Sequence, residues 1–490
     1  MQRGVWIATV LVLSGVAGPW ATAQHVGEEE DDEPPNLREQ LTEREDKIFV
    51  EDPYVLDLFG RPVSIIIQSE SLIEGYDELV VGDPSEAYGQ LVFEHEVEVE
   101  GFYSFGSGVS ALAQVNLLVE EDLDSGYPDA VSDLYVERGE MWLYFQEIGG
   151  SHFHLELGRL DFEDDRLWWW DMELDAVRVA WETDELEITL AVARELFSAR
   201  SDRSHIEPEH DDVTRVIMET SWDWHEDHAI QVFFLHSDDR SRTGSVGDLV
   251  REEREDEFDG DLYWAGIRFA GGADFGEGGI VGYWVDVGGV WGDELIVESD
   301  DVAPGLVEVE EIRKSDVRAW AVDAGSTILV PVPLEPRLTL AYAMGTGDSD
   351  PESGRDGNYR QTTLHENEPG FGGAQRFKSY GFLLDPELSN LSVATVGLGV
   401  SLFESSSLDL VYHHYRLVEH AEGLRDARVE EELTGDSRDI GHGIDLILAL
   451  EEWERMQFEL VASTFRAGRA FGDDEGEWIF GGFAAFRMAF

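Results

Sequence analysis

The side chains best placed to do chemistry in this chain are carboxylates, and their spacing says what kind. From Leu91 to Glu100, Phe93, His95, Val97 and Val99 hold one parity, while Glu94, Glu96, Glu98 and Glu100 hold the other. A period of two is a strand with two unlike faces, one for an apolar medium and one for water. A wall of such carboxylates attracts cations; it is not laid out for bond cleavage. Asp171 and Asp175 lie four residues apart, about 13 Å along a strand. Paired glycosidase carboxylates sit closer. No nucleophile triad is legible, so the expectation is a protein that is not an enzyme, with no catalytic residue, cofactor or metal. His413 and His414 are adjacent and must point to opposite faces of a strand, so they do not share an ion. Asp348, Asp350 and Asp356 suit a divalent cation or a solvated acidic loop. Trp168, Trp169 and Trp170 suit stacking on sugar rings or an interfacial girdle.

The elements that must carry these residues are strands. In 185–195, Leu186, Ile188, Leu190 and Val192 alternate with Glu185, Glu187, Thr189, Ala191 and Ala193. In 455–465, Met456, Phe458, Leu460 and Ala462 oppose Arg455, Gln457, Glu459, Val461 and Ser463; Ile444, Leu446, Leu448 and Leu450 oppose Asp445. The final stretch puts Trp478, Phe480, Gly482, Ala484, Phe486, Met488 and Phe490 on one face, and Gly481, Phe483, Ala485, Arg487 and Ala489 on the other. Aromatics at both ends of an apolar face, with small residues opposite, are what a membrane barrel strand needs. The last edge strand of a soluble sandwich is the competing reading. Similar runs give about 18 strands between 61 and 490, an even number in the barrel range. Short links such as Thr183-Asp184 alternate with long ones at 239–258, 294–315, 346–390 and 419–437. That is the rhythm of outer-membrane barrels. At Leu155, Leu157, Arg159 and Asp161 one face turns from apolar to charged, so either the apolar band ends there or a bulge shifts the register.

Of 490 residues, 34 are basic and 105 acidic, a formal charge of −71, and none is Cys. Such a charge excludes nucleic-acid binding, which needs a cationic face. Two readings of it are compatible: a surface kept hydrated in high salt, where screening tames repulsion, and a cation-attracting pore. Arg3, the apolar run Val5–Val16 and Ala21-Thr22-Ala23 have the layout of a cleaved export signal over 1–23. An acidic tail over 24–58, containing Glu28 to Glu33 and Pro34-Pro35, is expected to be disordered in the periplasm. The barrel is then 59–490.

An ordered set of motifs adds a resemblance. It runs from Gly158-Arg159 through Trp168-Trp169-Trp170-Asp171 to Tyr342–Asp348, Tyr359–Leu364 and Gln375-Arg376-Phe377. Asp385–Leu391, Val411–Arg416 and Asp439-Ile440-Gly441…Asp445-Leu446 follow. In this order it resembles the bacterial alginate export family, outer-membrane barrels of 18 strands that pass an exopolysaccharide out of the cell. The similarity covers about 60–490. The resemblance implies a lumen in which arginines balance the carboxylates of a polyuronate, as rings of Arg suit anions. Arg159, Asp171, Asp202 and Arg376 fall on matching positions. The chain also departs. Asp161, Glu96, Glu459 with Val461, and Ala489 stand where the family exporter carries arginine, with Arg487 offering one cation nearby. Like charges ~8 Å apart cost about half a kcal/mol in a water-like dielectric and more in a narrow pore.

The expectation is therefore an all-β, transmembrane antiparallel barrel of the Gram-negative outer membrane. Its lumen would be lined by Glu94, Glu96, Glu98, Arg159, Asp161, Asp171, Asp175, Asp202, Arg376, Asp445, Glu459 and Arg487. Asp171, Asp175 and Asp445 would orient Arg159, Arg376 and Arg487. The partners would be an anionic or neutral polysaccharide, outer-membrane lipid and periplasmic export proteins, with the barrel monomeric. A general cation-selective porin of a salt-adapted bacterium is the alternative, and a soluble acidic β-sandwich a third.

Overall fold

A computed structural model describes residues 48–490 apart from 49, 51, 78, 80, 82–89, 124–131, 242–243, 252–253, 255–257, 277, 304, 351–353, 375 and 430–432. The proposed signal and most of the acidic tail lie outside the described residues. Eighteen strands form the wall: β1 Arg61–Tyr76, β2 Gln90–Gly106, β3 Val109–Asp122, β4 Ser132–Phe145, β5 Phe153–Glu163, β6 Asp171–Thr183, β7 Leu186–Ala193, β8 Thr214–His225 and β9 His228–Asp239. Then come β10 Phe258–Phe275, β11 Gly279–Ala303, β12 Leu306–Leu329, β13 Arg337–Gly345, β14 Leu391–Leu402, β15 Ser406–Leu417, β16 Asp439–Trp453, β17 Met456–Ala467 and β18 Trp478–Ala489. Each pairs antiparallel with its neighbour in sequence. β18 returns to β1 in a register running from Gln68↔Ala489 to Tyr76↔Gly481, so the sheet closes and leaves no edge. Every strand expected from alternation is present. Short turns gather at one end, which faces the periplasm in outer-membrane barrels, and the long connections at the other.

The faces follow the sequence. Trp478, Phe480, Phe486 and Phe490 are exposed on the outside of β18, and Ala485 and Ala489 are buried inside. Val99, Leu190, Leu446 and Leu460 likewise lie exposed on the outer surface, where lipid, not water, is the solvent.

Two expectations change. Residues 294–315, read as a long link between strands, continue β11 and β12 as a paired ribbon from Glu294↔Ser315 to Ala303↔Leu306. Beyond the membrane both faces of a ribbon can meet water, so dense charge does not forbid pairing; Val297, which pairs with Ile312, and Val307 and Val309 are buried. The acidic tail also ends earlier than 58. Tyr54–Leu58 pairs with the start of β1, and Ile48 and Val50 are buried with Ile66 and Ala489.

The wall is interrupted in one place. β4 pairs with β5 only from Met141↔Arg159 to Phe145↔Leu155. β6 pairs with β7 only as far as Ala176↔Ala193. Yet β5 and β6 remain paired up to Glu163↔Asp171. The hairpin 159–175 therefore leaves both neighbours and carries its tip across the lumen. Gly158 makes the departure possible: its φ is +145°, and a Cβ there would stand 2.0 Å from the Met141 carbonyl. The apolar band thus ends at Leu157 because the hairpin leaves the wall. The vacated edge of β4 is taken by the next connection, where Arg138 N–H donates to the Ala199 carbonyl and Ser201 N–H to that of Val136, both at 2.9 Å.

At the tip, Trp168, Trp169 and Trp170 are at most 2% exposed. They are neither a girdle nor an exposed sugar platform. Trp169 stacks on inward-facing Phe233 at 4.9 Å. A Cβ at Gly266 on the far wall would meet the Trp169 ring at 2.2 Å. Gly266→Ala is thus expected to expel the tip while the barrel still assembles. Trypsin should then cleave at Arg166 in the variant and spare it in the parent; equal protection would refute the seating.

Candidate functional site

The site is the lumen and the segments folded into its outer mouth. The hairpin tip is fixed by buried charge. Asp164 accepts hydrogen bonds from the backbone N–H groups of Trp169 (2.7 Å) and Trp170 (3.1 Å). Its other oxygen lies 2.6 Å from Arg268 of β10. Arg268 is fully buried and also meets Asp286 of β11 at 2.7 Å. Arg166 of the tip reaches Asp286 at 3.4 Å and Asp323 of β12 at 3.1 Å, and lies over the Trp284 ring. Two guanidinium groups and three carboxylates thus clamp hairpin to wall.

The long connection 346–390 covers the hairpin. Asp171 N–H donates to the Leu364 carbonyl, and Asn367 N–H to that of Leu167 at 2.8 Å. Tyr380 accepts from Trp168 Nε1 at 2.9 Å and donates to Asp323 at 3.0 Å. Arg360 is held by Glu294 at 2.9 Å and Asp356 at 2.6 Å. Lys378 meets Glu368, Asp385 and Glu366. Burial works against the Lys378 ammonium, but these carboxylates more than offset it and hold its pKa above the ordinary lysine value. From the connection 418–438, Arg425 binds Glu387 at 2.7 Å, and Arg428 binds Glu74 of β1 at 2.7 Å and Asp385 at 3.3 Å. Loop-to-wall ion pairs therefore run around much of the mouth.

The expected site residues fall into groups. Glu94, Glu96 and Glu98 face inward on β2. The first two line a cavity of about 300 Å³ with Glu70 and Glu120, and Glu98 accepts from Gln114 at 3.0 Å. Arg159, Asp161, Asp171 and Asp175 lie on one face of the displaced hairpin. Arg159 is buried between Glu173 at 3.0 Å and Glu195 at 3.3 Å. Asp171 binds Arg376 at 2.8 Å, the one expected orienting pair that forms. Asp175 instead takes Arg138 at 2.7 Å and the Leu196 N–H at 2.9 Å. Strand register sets Asp175 opposite Arg159, but Glu173 and Glu195 already fill that guanidinium's fork. Asp445 orients no arginine: it lies 3.3 Å from buried His413 and accepts from Ser463 at 2.6 Å. His414 points outward, as parity requires. Arg487 lies between Glu70 at 3.0 Å and Glu459 at 3.5 Å, not beside an Asp. Asp202 sits in the connection after β7, paired with Arg200 at 2.9 Å; that contact lowers its pKa.

Asp161, Glu163 and Asp171 bring carboxylate oxygens within 4.8 Å of one another. Such donors suit a hard cation, and Arg376 already supplies positive charge to Asp171. Toward the short-turn end, a cavity of about 490 Å³ is lined by Glu156, Glu163, Asp165, Glu182, Glu187, Glu219 and Asp223, with Arg178 and His154.

Sequence reasoning missed Arg268, Asp286 and Asp323. The signal was available: Arg268 stands between the same-parity neighbours Gly266 and Ala270, and Asp286 between Trp284 and Gly288, none of them charged. Removing a buried partner leaves a stranded charge, at a cost of about 3–5 kcal/mol. Asp164→Ala should therefore free the tip, with amide exchange at Trp169 and Trp170 accelerated and exchange in β15–β17 unchanged. Unaltered tryptophan exchange would contradict the clamp.

A sequence profile described as alginate export matches residues 108–479. The alginate production protein AlgE of Pseudomonas aeruginosa is 28% identical over 323 residues, covering 64% of this chain and 63% of that protein. The protein of the same name from Pseudomonas syringae pv. tomato is 23% identical over 341 residues, 65% of each. The alignment thus spans just under two thirds of the length of these relatives. Among solved structures, OccK5 (OpdH) of Pseudomonas aeruginosa superposes with a TM-score of 0.53 at 7% identity, covering 87% of this chain and 98% of that one. The outer membrane protein OprD from Pseudomonas aeruginosa gives 0.51 at 9%, covering 87% and 94%; at such identities the likeness is one of fold. With a closed 18-stranded wall and a profile match over well more than half its length, this chain belongs to the alginate export family and is a β-barrel of the Gram-negative outer membrane.

Proposed function

We propose that this barrel exports an exopolysaccharide, alginate or a related polymer, by passive passage through the lumen, with charged side chains tuning what passes. The observation that carries the reading is the family match over 108–479. The proposal includes a cleaved signal over 1–23, a monomeric barrel, periplasmic export proteins as partners and an acidic surface suited to high salt. Arg159, Arg376 and Arg487 are the cations offered to polymer carboxylates, and each is already held by Glu or Asp. A uronate must compete with those carboxylates for the guanidinium. Passage of a polyuronate is therefore expected to need salt or accompanying cations, which screen the wall. A polymer of lower charge needs less.

The second reading, a general cation-selective porin, is favoured by the seven carboxylates around the 490 Å³ cavity. Planar bilayers separate the two. Export predicts a current that oligouronates block more strongly at molar than at low salt. A cation current indifferent to oligouronate at every salt concentration would reject export and leave the porin. Arg487→Gln should raise cation over anion permeability about twofold to fivefold, as expected for one partly screened charge. An unchanged reversal potential would remove Arg487 from the conducting path.

A further inference from the structure

The outer surface of β15–β18 carries cations where the rest of that surface turns apolar. At one level of the sheet, four residues stand directly opposite one another. His414 pairs with His442, His442 with Arg466, and Arg466 with Trp478. All four share the outward parity of Leu410, Leu446, Leu460 and Phe486, which are exposed. Arg416 is exposed one same-face step further toward the loops. The row is ordered: His414 and His442 stack at 4.9 Å, Tyr412 hydroxyl lies 2.7 Å from His442 Nδ1, and the Arg466 guanidinium lies over the Trp478 ring.

Position decides what this row meets. It lies at the loop end of each strand, hence in the outer leaflet. Immediately below are Tyr412, Ile444 and Phe480, all exposed on the outer face. Eight residues separate Trp478 from Phe486, roughly 26 Å along the strand. That is an interfacial level, where Trp sits beside headgroups. Two arginines and two histidines at this depth, in a chain of net charge −71, are not a general surface feature. The neighbouring carboxylate, Asp439, is 3.0 Å from Arg469 and 3.8 Å from His414. Above the row, the connection 468–477 carries Asp473, Asp474, Glu475 and Glu477, which repel a dissolved polyanion approaching from outside. An anion held by the membrane at headgroup depth reaches the row from the side.

We propose that His414, Arg416, His442 and Arg466 form a binding site for the phosphate groups of an outer-leaflet glycolipid. The apolar surface below takes its acyl chains. Guanidinium groups match phosphate oxygens in pairs, and imidazole N–H groups add donors. The site is distinct from the lumen and does not depend on what the lumen carries.

The test compares diphosphoryl lipid A with the same lipid after enzymatic removal of its phosphates. Each is added to the purified barrel in detergent and its retention read by native mass spectrometry. The parent should retain the phosphorylated form about tenfold better or more. R416Q/R466Q should lose that preference while keeping heat-modifiable mobility, and R318Q, at another exposed outward arginine, should keep it. Equal retention of the two lipids by the parent would overturn the site. So would an undiminished preference in an assembled R416Q/R466Q barrel. Should the double variant fail to assemble, the parent comparison and R416Q alone decide.

Discussion

Arg268 is a fully buried arginine on the barrel wall, and two carboxylates meet it. Stranded in a low-dielectric interior, its guanidinium would cost several kcal/mol. Asp286 on the next strand and Asp164 from across the lumen satisfy it. The second contact dictates much of the rest. For Asp164 to arrive, the hairpin 159–175 must leave its place in the wall. Gly158 must take a backbone angle that disfavours other residues, and β4 must find a new partner for its edge. The tryptophans carried across then give the connection 346–390 an apolar floor, and Tyr380 ties that connection back to Asp323.

The result is a lumen in which arginines and carboxylates neutralise one another locally while the total stays acidic. In the family resemblance, arginines face a polyuronate. Here Arg159 and Arg376, on matching positions, and Arg487, a nearby cation, are each shared with protein carboxylates. Under the proposed export function, such a lining selects less by a fixed positive ring than by how readily salt loosens its own pairs. That behaviour fits the extreme composition of the chain. Glu94 and Glu96 line a cavity with Glu70 and Glu120, and Glu98 accepts from Gln114, whereas Arg268 is fully buried among carboxylates.

The strands were legible because lipid on one side and an aqueous or packed lumen on the other enforce a period of two over every crossing. Leu190, Leu446 and Phe486 face outward, and Glu98, Asp445 and Arg487 inward, as parity alone required. The ribbon 294–315 was read as a long link because its alternation is broken, with Leu295, Ile296 and Val297 in a row and two register shifts. The tryptophans were misread because parity gives a side chain's face only while its strand stays in the wall.

The amino-acid sequence by itself determined the number of strands, their faces, the family and the acidity of the lumen, since each depends on local alternation, on ordered motifs or on composition. Only the tertiary structure decided which charges meet. Asp175 was expected to orient one of Arg159, Arg376 and Arg487 and belongs to Arg138; Asp445 was expected beside one of the same arginines and holds His413. Partner choice across a barrel depends on which segment is folded into it. That choice rests on contacts between residues far apart in the chain, such as Asp164 with Arg268 and Asp171 with Arg376, whose spacing carries no periodic trace.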